Sequence, residues 1–137
     1  MSPFPVITEL DAERIRKLGN RLPDGGRGMT ALDALLDVAD AAEIVPGNSV
    51  PADVVTVNST VSFRDRQSGA VHRVTVVYPA EFSVADRRIS VLSPVGRALL
   101  GRRVGEWIAL DMPDGSVREI QVLALHYQPE AAGDFTR

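Results

Sequence analysis

The 137-residue sequence contains no cysteine, only two histidines and one tryptophan, and aromatic residues make up 5% of it. Without cysteine, a disulfide framework and a thiolate metal site are both excluded. His72 and His126 fall in separate predicted strands with no second ligand at metal-binding spacing, so we expect no metal and no other cofactor. Apolar runs are also short. None approaches the ~18 residues needed to cross a bilayer, and residues 1–6 do not resemble a secretory signal, so we expect a soluble cytoplasmic protein with no membrane partner.

Sequence patterns typical of catalysis are missing as well. There is no Gly-x-Ser-x-Gly elbow, and the glycine-rich run at 25–28 lacks the strand and the Lys-Ser/Thr that a phosphate loop requires. A net charge of -3 argues against nucleic-acid binding driven by phosphate contacts, and we expect no sequence-specific nucleic-acid partner. The sequence therefore predicts a protein that is not an enzyme.

Residues 1–50 are predicted to form a short antiparallel helical hairpin, a small coiled coil. Two Thr-x-x-Asp patterns resemble capping boxes, at Thr8 and at Thr30. They favour one helix over 9–22 and a second that ends before Pro46, joined by a Pro- and Gly-rich turn at 23–28. At 1.5 Å per residue each helix is about 20 Å long. The hairpin can pack on the rest of the chain or project from it, and packing is favoured. The apolar stripes are Leu10, Ile15, Leu18 and Leu22 in the first helix and Leu32, Leu35, Leu36, Ala39 and Ala42 in the second.

Residues 51–137 are predicted to form a second module, a mostly antiparallel sheet with one short helix, which makes the fold class α+β. The last strand is apolar on both faces and is expected inside the sheet. Trp107 is expected in the core, and the tail from Gln128 to Arg137 is expected to be partly free. The predicted strands cover 55–63, 71–78, 89–92, 107–111 and 117–127, and the helix covers 94–100.

One long segment resembles a known family. The run Ile-Ser-Val-Leu-Ser-Pro-Val-Gly-Arg-Ala-Leu-Leu-Gly at 89–101, followed by Val104-Gly105 and Pro113-x-Gly115, is similar to the C-terminal domain of the bacterial Gre transcript-cleavage factors. Further matches are closer to one branch, the regulators of nucleoside diphosphate kinase (Rnk). They lie at 10–15, 53–59, 77–80 and 127–134, so that the resemblance covers nearly the whole chain.

This resemblance implies a coiled-coil arm and an FKBP-like C-terminal domain, with RNA polymerase as the partner. Gre-like factors dock on the rim of the polymerase secondary channel and insert the arm, whose acidic tip holds a metal ion for transcript cleavage. Here the arm is short and its tip carries Asp24 alone. The expected function is therefore a rim binder that competes with Gre factors without cleaving transcripts, and that affects nucleoside diphosphate kinase indirectly.

The resemblance also implies a contact site, at Leu92, Ser93, Pro94 and Val95, with Val91 as a further apolar contributor. In the Gre pattern an acidic residue precedes Ser-Pro, and here Leu92 stands in its place. A charge-assisted contact typically worth ~1.5–3 kcal/mol is thereby lost, so the grip is either apolar or supplied by other residues. The plainer alternative is that Ser93 and Pro94 only begin a helix.

Two other functions stay open at this point. An FKBP-like fold is compatible with a prolyl isomerase, although that activity needs an aromatic-lined pocket. A generic interaction module, held as a dimer by the hairpin stripes, is the other alternative. Arginines at 87, 88, 102 and 103 could touch DNA near a polymerase.

Overall fold

A computed structural model describes residues 4–20 and 30–134 of the chain. Its main element is a five-stranded sheet in the order β5-β4-β3-β7-β6, in which all neighbours are antiparallel except β4 and β5. A second, two-stranded parallel sheet pairs β1 with β2. The elements are β1 (Val6–Thr8), α1 (Glu9–Asn20), α2 (Thr30–Ala41), β2 (Glu43–Val45), β3 (Thr60–Asp65), β4 (Val71–Val77), β5 (Arg88–Ser90), α3 (Pro94–Leu99), β6 (Trp107–Asp111) and β7 (Val117–Tyr127), with short 3-10 helices at Gly47–Ser49 and Pro79–Glu81.

The two N-terminal helices form where the apolar spacing predicts them. The hydroxyl of Thr8 accepts a hydrogen bond from the Asp11 amide at 3.2 Å, as the capping pattern requires. Pairing of β1 with β2 places the start of α1 beside the end of α2, and the two helices are in contact. The predicted turn at 23–28 and the last two positions of the predicted helix 9–22 lie outside the described residues.

A single apolar core joins these helices to the sheet. Ile15 of α1 and Leu35 of α2 are fully buried in the same cluster as Val57, Leu99 and Val122. The described parts of both helices therefore pack on the rest of the chain. The division at residue 50 into two modules stays a prediction.

The first strand of the second module begins later than predicted. The alternating pattern suggested a strand over 55–63, but the chain turns at Thr56–Ser59 and β3 starts at Thr60. The Ser59 hydroxyl accepts from the Thr56 amide at 3.0 Å, and Asn58 adopts a positive φ of 72°, which ends any extended run. Val55 and Val57 are buried, but in a loop.

Trp107 is not in the core, contrary to the prediction. Strand β6 alternates so that Ile108 and Leu110 face inward, and Trp107 keeps 49% of its surface exposed. The guanidinium of Arg66 lies 5.7 Å from the centre of its ring, a cation–π arrangement. Trp107 therefore belongs to the outer face of the sheet.

The described part of the C-terminal tail is also less free than predicted. Gln128 is buried, and its side-chain amide donates to the carbonyl oxygens of Pro51 and Val54 at 2.8 and 2.7 Å. Glu130 accepts a hydrogen bond from the Thr56 hydroxyl at 2.7 Å. These bonds fasten the tail to the loop that precedes β3.

Candidate protein-binding site

The segment between β5 and α3 forms a tight turn that begins a helix. Ser93 is the N-cap of α3: its hydroxyl accepts from the Gly96 amide at 3.1 Å and donates to the Ser90 carbonyl at 2.7 Å. Pro94 occupies the first turn of the helix, where its missing N–H costs nothing. The predicted third strand, 89–92, is shorter in the structure because the chain leaves the sheet after Ser90. The capping role predicted for Ser93 and Pro94 is confirmed.

Gly96 is required by the close approach of this helix to β5. A Cβ atom at this position would lie 2.1 Å from the Ser90 carbonyl oxygen, far inside van der Waals contact. Gly101, which follows α3, has a φ of +80°, and a Cβ there would lie 2.6 Å from the Cβ of Pro5. Both glycines of the Pro-Val-Gly-Arg-Ala-Leu-Leu-Gly run thus hold α3 against its neighbours.

Three of the four predicted contact residues have side chains that a partner can contact. The fourth is Ser93, whose hydroxyl is already hydrogen-bonded within its own turn. Leu92, Pro94 and Val95 are each partly exposed, and Leu92 and Val95 pack at the margin of the core. Val91 is fully buried, so it cannot contribute to a surface contact as the sequence suggested. Its amide donates to the Val77 carbonyl at 2.9 Å, which locks the turn to the end of β4.

The main-chain carbonyl of Leu92 is held by a cation. The Arg97 guanidinium, one turn into α3, donates to this oxygen. Partial burial lowers the pKa of Arg97 from its ordinary value, although an arginine at this level of burial stays charged at neutral pH. The position at which the Gre pattern has an acid is therefore already next to a positive group of the same chain.

A cleft opens beside this turn. It encloses about 420 Å³ and is bounded by one face of the sheet and by Val95 of α3. Its walls are mainly apolar, and they include an ion pair in which Arg118 lies 2.6 Å from Asp65. The cleft adjoins the Leu92–Val95 turn through Val95, and it is a concave surface that could receive a protruding part of another protein.

A buried polar network, which the sequence did not reveal, joins α1 to the sheet. Both oxygens of the Asp11 carboxylate are used: Tyr78 donates to one at 2.7 Å and the Val57 amide to the other at 3.1 Å. Burial raises the pKa of Asp11 from 3.8 to about 6, against the lowering effect of these bonds. Burial and the neighbouring carboxylate raise the pKa of Tyr78 above its ordinary range, so Tyr78 remains a donor. The capping pattern showed Asp11 only as a helix-start residue.

Among residues 4–20 and 30–134, no group of three or more histidine or acidic side chains is placed to hold a metal ion. Within the same ranges no helix is long and apolar enough to span a membrane.

Comparison with known proteins identifies the family to which the segment with this surface belongs. The family model described as "Transcription elongation factor, GreA/GreB, C-term" matches residues 50–127, which contain the turn, α3 and the cleft. The chain belongs to the GreA/GreB family. It is 44% identical to the regulator of nucleoside diphosphate kinase of Escherichia coli K12, over 97% of this chain and 96% of the relative.

Other members of the GreA/GreB family share part of the chain. The transcription inhibitor protein Gfh1 of Thermus thermophilus is 42% identical over 69% of this chain and 60% of its own length. A GreA/GreB elongation factor from Nitrosomonas europaea has a similar solved structure, with a TM-score of 0.71 and 36% identity over 92% of this chain and all of that one. These relatives are regulators and transcription factors, and the resemblance drawn from the sequence motifs is confirmed.

Proposed function

We propose that the chain binds core RNA polymerase at the rim of the secondary channel and regulates transcription there without cleaving transcripts. The contact residues are Leu92, Ser93, Pro94 and Val95, with the adjoining cleft. In this proposal the chain competes with Gre factors for one site, and its influence on nucleoside diphosphate kinase is indirect. The C-terminal part is FKBP-like and the N-terminal helices form a short coiled-coil hairpin.

The observation that carries the proposal is the 420 Å³ cleft next to the Leu92–Val95 turn, within the segment that matches the family. The turn is rigid, since its backbone is fixed by Ser90, Ser93 and Val77. A pre-ordered surface binds with little loss of conformational entropy. Its apolar residues supply contact area at the position where Leu92 replaces the acid of the Gre pattern.

The proposed lack of cleavage rests on the sequence of the hairpin. Residues 23–28 contain one carboxylate, Asp24, whereas holding a catalytic metal between polymerase and arm needs paired acids. Asp24→Ala should therefore leave polymerase binding nearly unchanged. Stimulated transcript cleavage that disappears in this variant would contradict the proposal.

The decisive experiment is a competition assay on core RNA polymerase. A labelled Gre factor is displaced by increasing amounts of this protein, while cleavage of a backtracked transcript is followed in the same reaction. Displacement with loss of cleavage supports the proposal. If the Gre factor is not displaced even at a high excess of this protein, the proposal is wrong and the generic interaction module replaces it.

Variants locate the contact. Leu92→Asp combined with Pro94→Ala should change the affinity for the polymerase by about tenfold, a free-energy difference of about 1.4 kcal/mol. Val117→Asp is the matched control, because Val117 is an exposed valine that does not line the cleft. If the double variant displaces the Gre factor as well as the unchanged protein does, the contact lies elsewhere.

A further inference from the structure

A second concave surface lies at the β4–β5 end of the sheet, next to the cleft described above. We call it the outer groove. It encloses about 500 Å³, and the residues that are its own, not shared with the cleft, are Val71, Arg73, Phe82, Val84, Arg87 and Arg88.

Three large apolar side chains of the outer groove are exposed to solvent. Val84 keeps 79% of its surface exposed, Phe82 55% and Val71 53%. They come from two separate segments, the start of β4 and the turn that precedes β5, yet they line one groove. Contiguous apolar patches on a monomer mark interaction surfaces more often than isolated exposed residues do.

The turn that presents two of them is held in place. Ser83 and Arg88 exchange main-chain hydrogen bonds at 3.3 and 2.8 Å, and the Asp86 amide donates to the Ser83 hydroxyl at 3.2 Å. The Thr75 amide of β4 donates to the carbonyl of Arg87 at 3.0 Å. Turns of this kind favour small polar residues at the tip, and here Val84 stands at the tip and Arg87 adopts a φ of 54°. The apolar tip is therefore not required by the turn itself.

The charge of the outer groove is of one sign. Arg73, Arg87 and Arg88 contribute to its lining, and no aspartate or glutamate is among its described lining residues. In the described part of the chain, none of these three guanidinium groups forms an ion pair with a carboxylate. In a chain with a net charge of -3, this local excess of positive charge is available to an external partner.

We propose that the outer groove binds an acidic protein segment that carries apolar side chains. The apolar side chains fill the space between Val71, Phe82 and Val84, and the carboxylates pair with the surrounding arginines. Of the three apolar side chains only Phe82 has a ring that can stack on a base, and a concave groove suits the side chains of a peptide better than a flat bilayer. The outer groove does not include the Leu92–Val95 turn, although it shares His72, Val74 and Ile89 with the cleft, and its peptide binding is testable without polymerase.

The test uses fluorescence anisotropy with fluorescein-labelled peptides and the full chain. The probes are a peptide of Glu-Glu-Leu repeats, its Glu-Glu-Ser and Lys-Lys-Leu counterparts, and an oligothymidylate. We expect binding of the Glu-Glu-Leu peptide, weakened by salt, and binding of the Glu-Glu-Ser and Lys-Lys-Leu peptides that is at least about tenfold weaker.

Paired variants separate the two components. The double variant Phe82→Ser, Val84→Ser removes the apolar side chains. The double variant Arg87→Glu, Arg88→Glu reverses the charge. Each double variant should bind the Glu-Glu-Leu peptide at least about tenfold more weakly than the unchanged protein does. Val117→Ser and Arg16→Glu are matched controls, because both residues are exposed outside the groove. All four side chains changed in the groove are exposed, so folding, checked by circular dichroism, should be kept.

Two results would overturn the proposal. One is a Glu-Glu-Leu peptide that fails to bind, or that binds the groove variants as well as the unchanged protein. The other is tighter binding of the oligothymidylate that depends on the arginines but not on Phe82 and Val84, which would identify a phosphate-binding surface instead.

Discussion

Replacing Asp11 by asparagine should flatten the pH dependence of the chain's stability between about pH 4 and pH 6. In the unfolded chain the carboxyl group titrates near its ordinary value of 3.8, and in the folded chain near 6, because burial disfavours the charged form. Between these two values the folded chain binds more protons than the unfolded chain. The free energy of unfolding therefore falls as the pH rises through this window.

The size of the effect follows from the two pKa values of Asp11. A difference from 3.8 to about 6 corresponds to a loss of about 3 kcal/mol in the free energy of unfolding between the fully protonated and the fully ionised carboxyl group, complete at about pH 7. This is a large share of the 5–15 kcal/mol that is typical of a folded domain. Asparagine cannot ionise, so this contribution to the pH dependence disappears in the variant.

The measurement is urea denaturation of the unchanged protein and of Asp11→Asn at closely spaced pH values. The difference between their free energies of unfolding should change by about 2.5 kcal/mol between pH 4 and pH 7, because part of the unfolded-state carboxyl groups are already ionised at pH 4. Glu13→Gln, at an exposed position of the same helix, controls for the loss of a carboxyl group. A difference that stays constant with pH would refute the argument that burial of Asp11 sets its pKa.

Two further predictions concern packing. Gly96→Ala places a Cβ atom 2.1 Å from the Ser90 carbonyl oxygen and should lower the free energy of unfolding by about 3 kcal/mol in urea denaturation; an unchanged midpoint would show that α3 moves away at little cost. Leu35→Ala, at a fully buried position of α2, should cost about 3 kcal/mol. Because one core joins the helices to the sheet, the helical circular dichroism and the Trp107 fluorescence of this variant should share one midpoint, and earlier loss of the helical signal would contradict that.

The periodicity of apolar residues predicted the main helices and strands. It failed where contacts between residues far apart in the sequence determine the local structure. The residues from Val55 to Ser59 alternate like a strand, but they form a loop. Thr56 is hydrogen-bonded to Glu130 of the tail, and Val54, just before the loop, accepts a bond from Gln128. Strands β1 and β2 have three residues each and exist because they pair with one another. No local pattern of so short a length distinguishes a strand from a loop.

The candidate site was predictable in part. Ser-Pro before an apolar helix is a local capping pattern, so the role of Ser93 was visible in the sequence. The burial of Val91, the exposure of Trp107 and the cleft beside Val95 depend on which face of each strand meets the core, and one sequence does not decide this for an edge strand such as β6. The outer groove was missed for the same reason, since Val71 and Phe82 approach only in the folded chain.

The attachment of β1 bears on how the protein folds during synthesis. The amide of Val6 donates to the carbonyl of Gly101, and the main-chain amide of Glu43 donates to the carbonyl of Pro5. On the ribosome β1 can pair with β2 once residues 43–45 have emerged, but its hydrogen bond to Gly101 must wait until that residue has been translated. Contacts between such distant positions slow folding, and final docking of the N-terminal strand should be among the last events after the Leu99–Gly101 segment has left the exit tunnel.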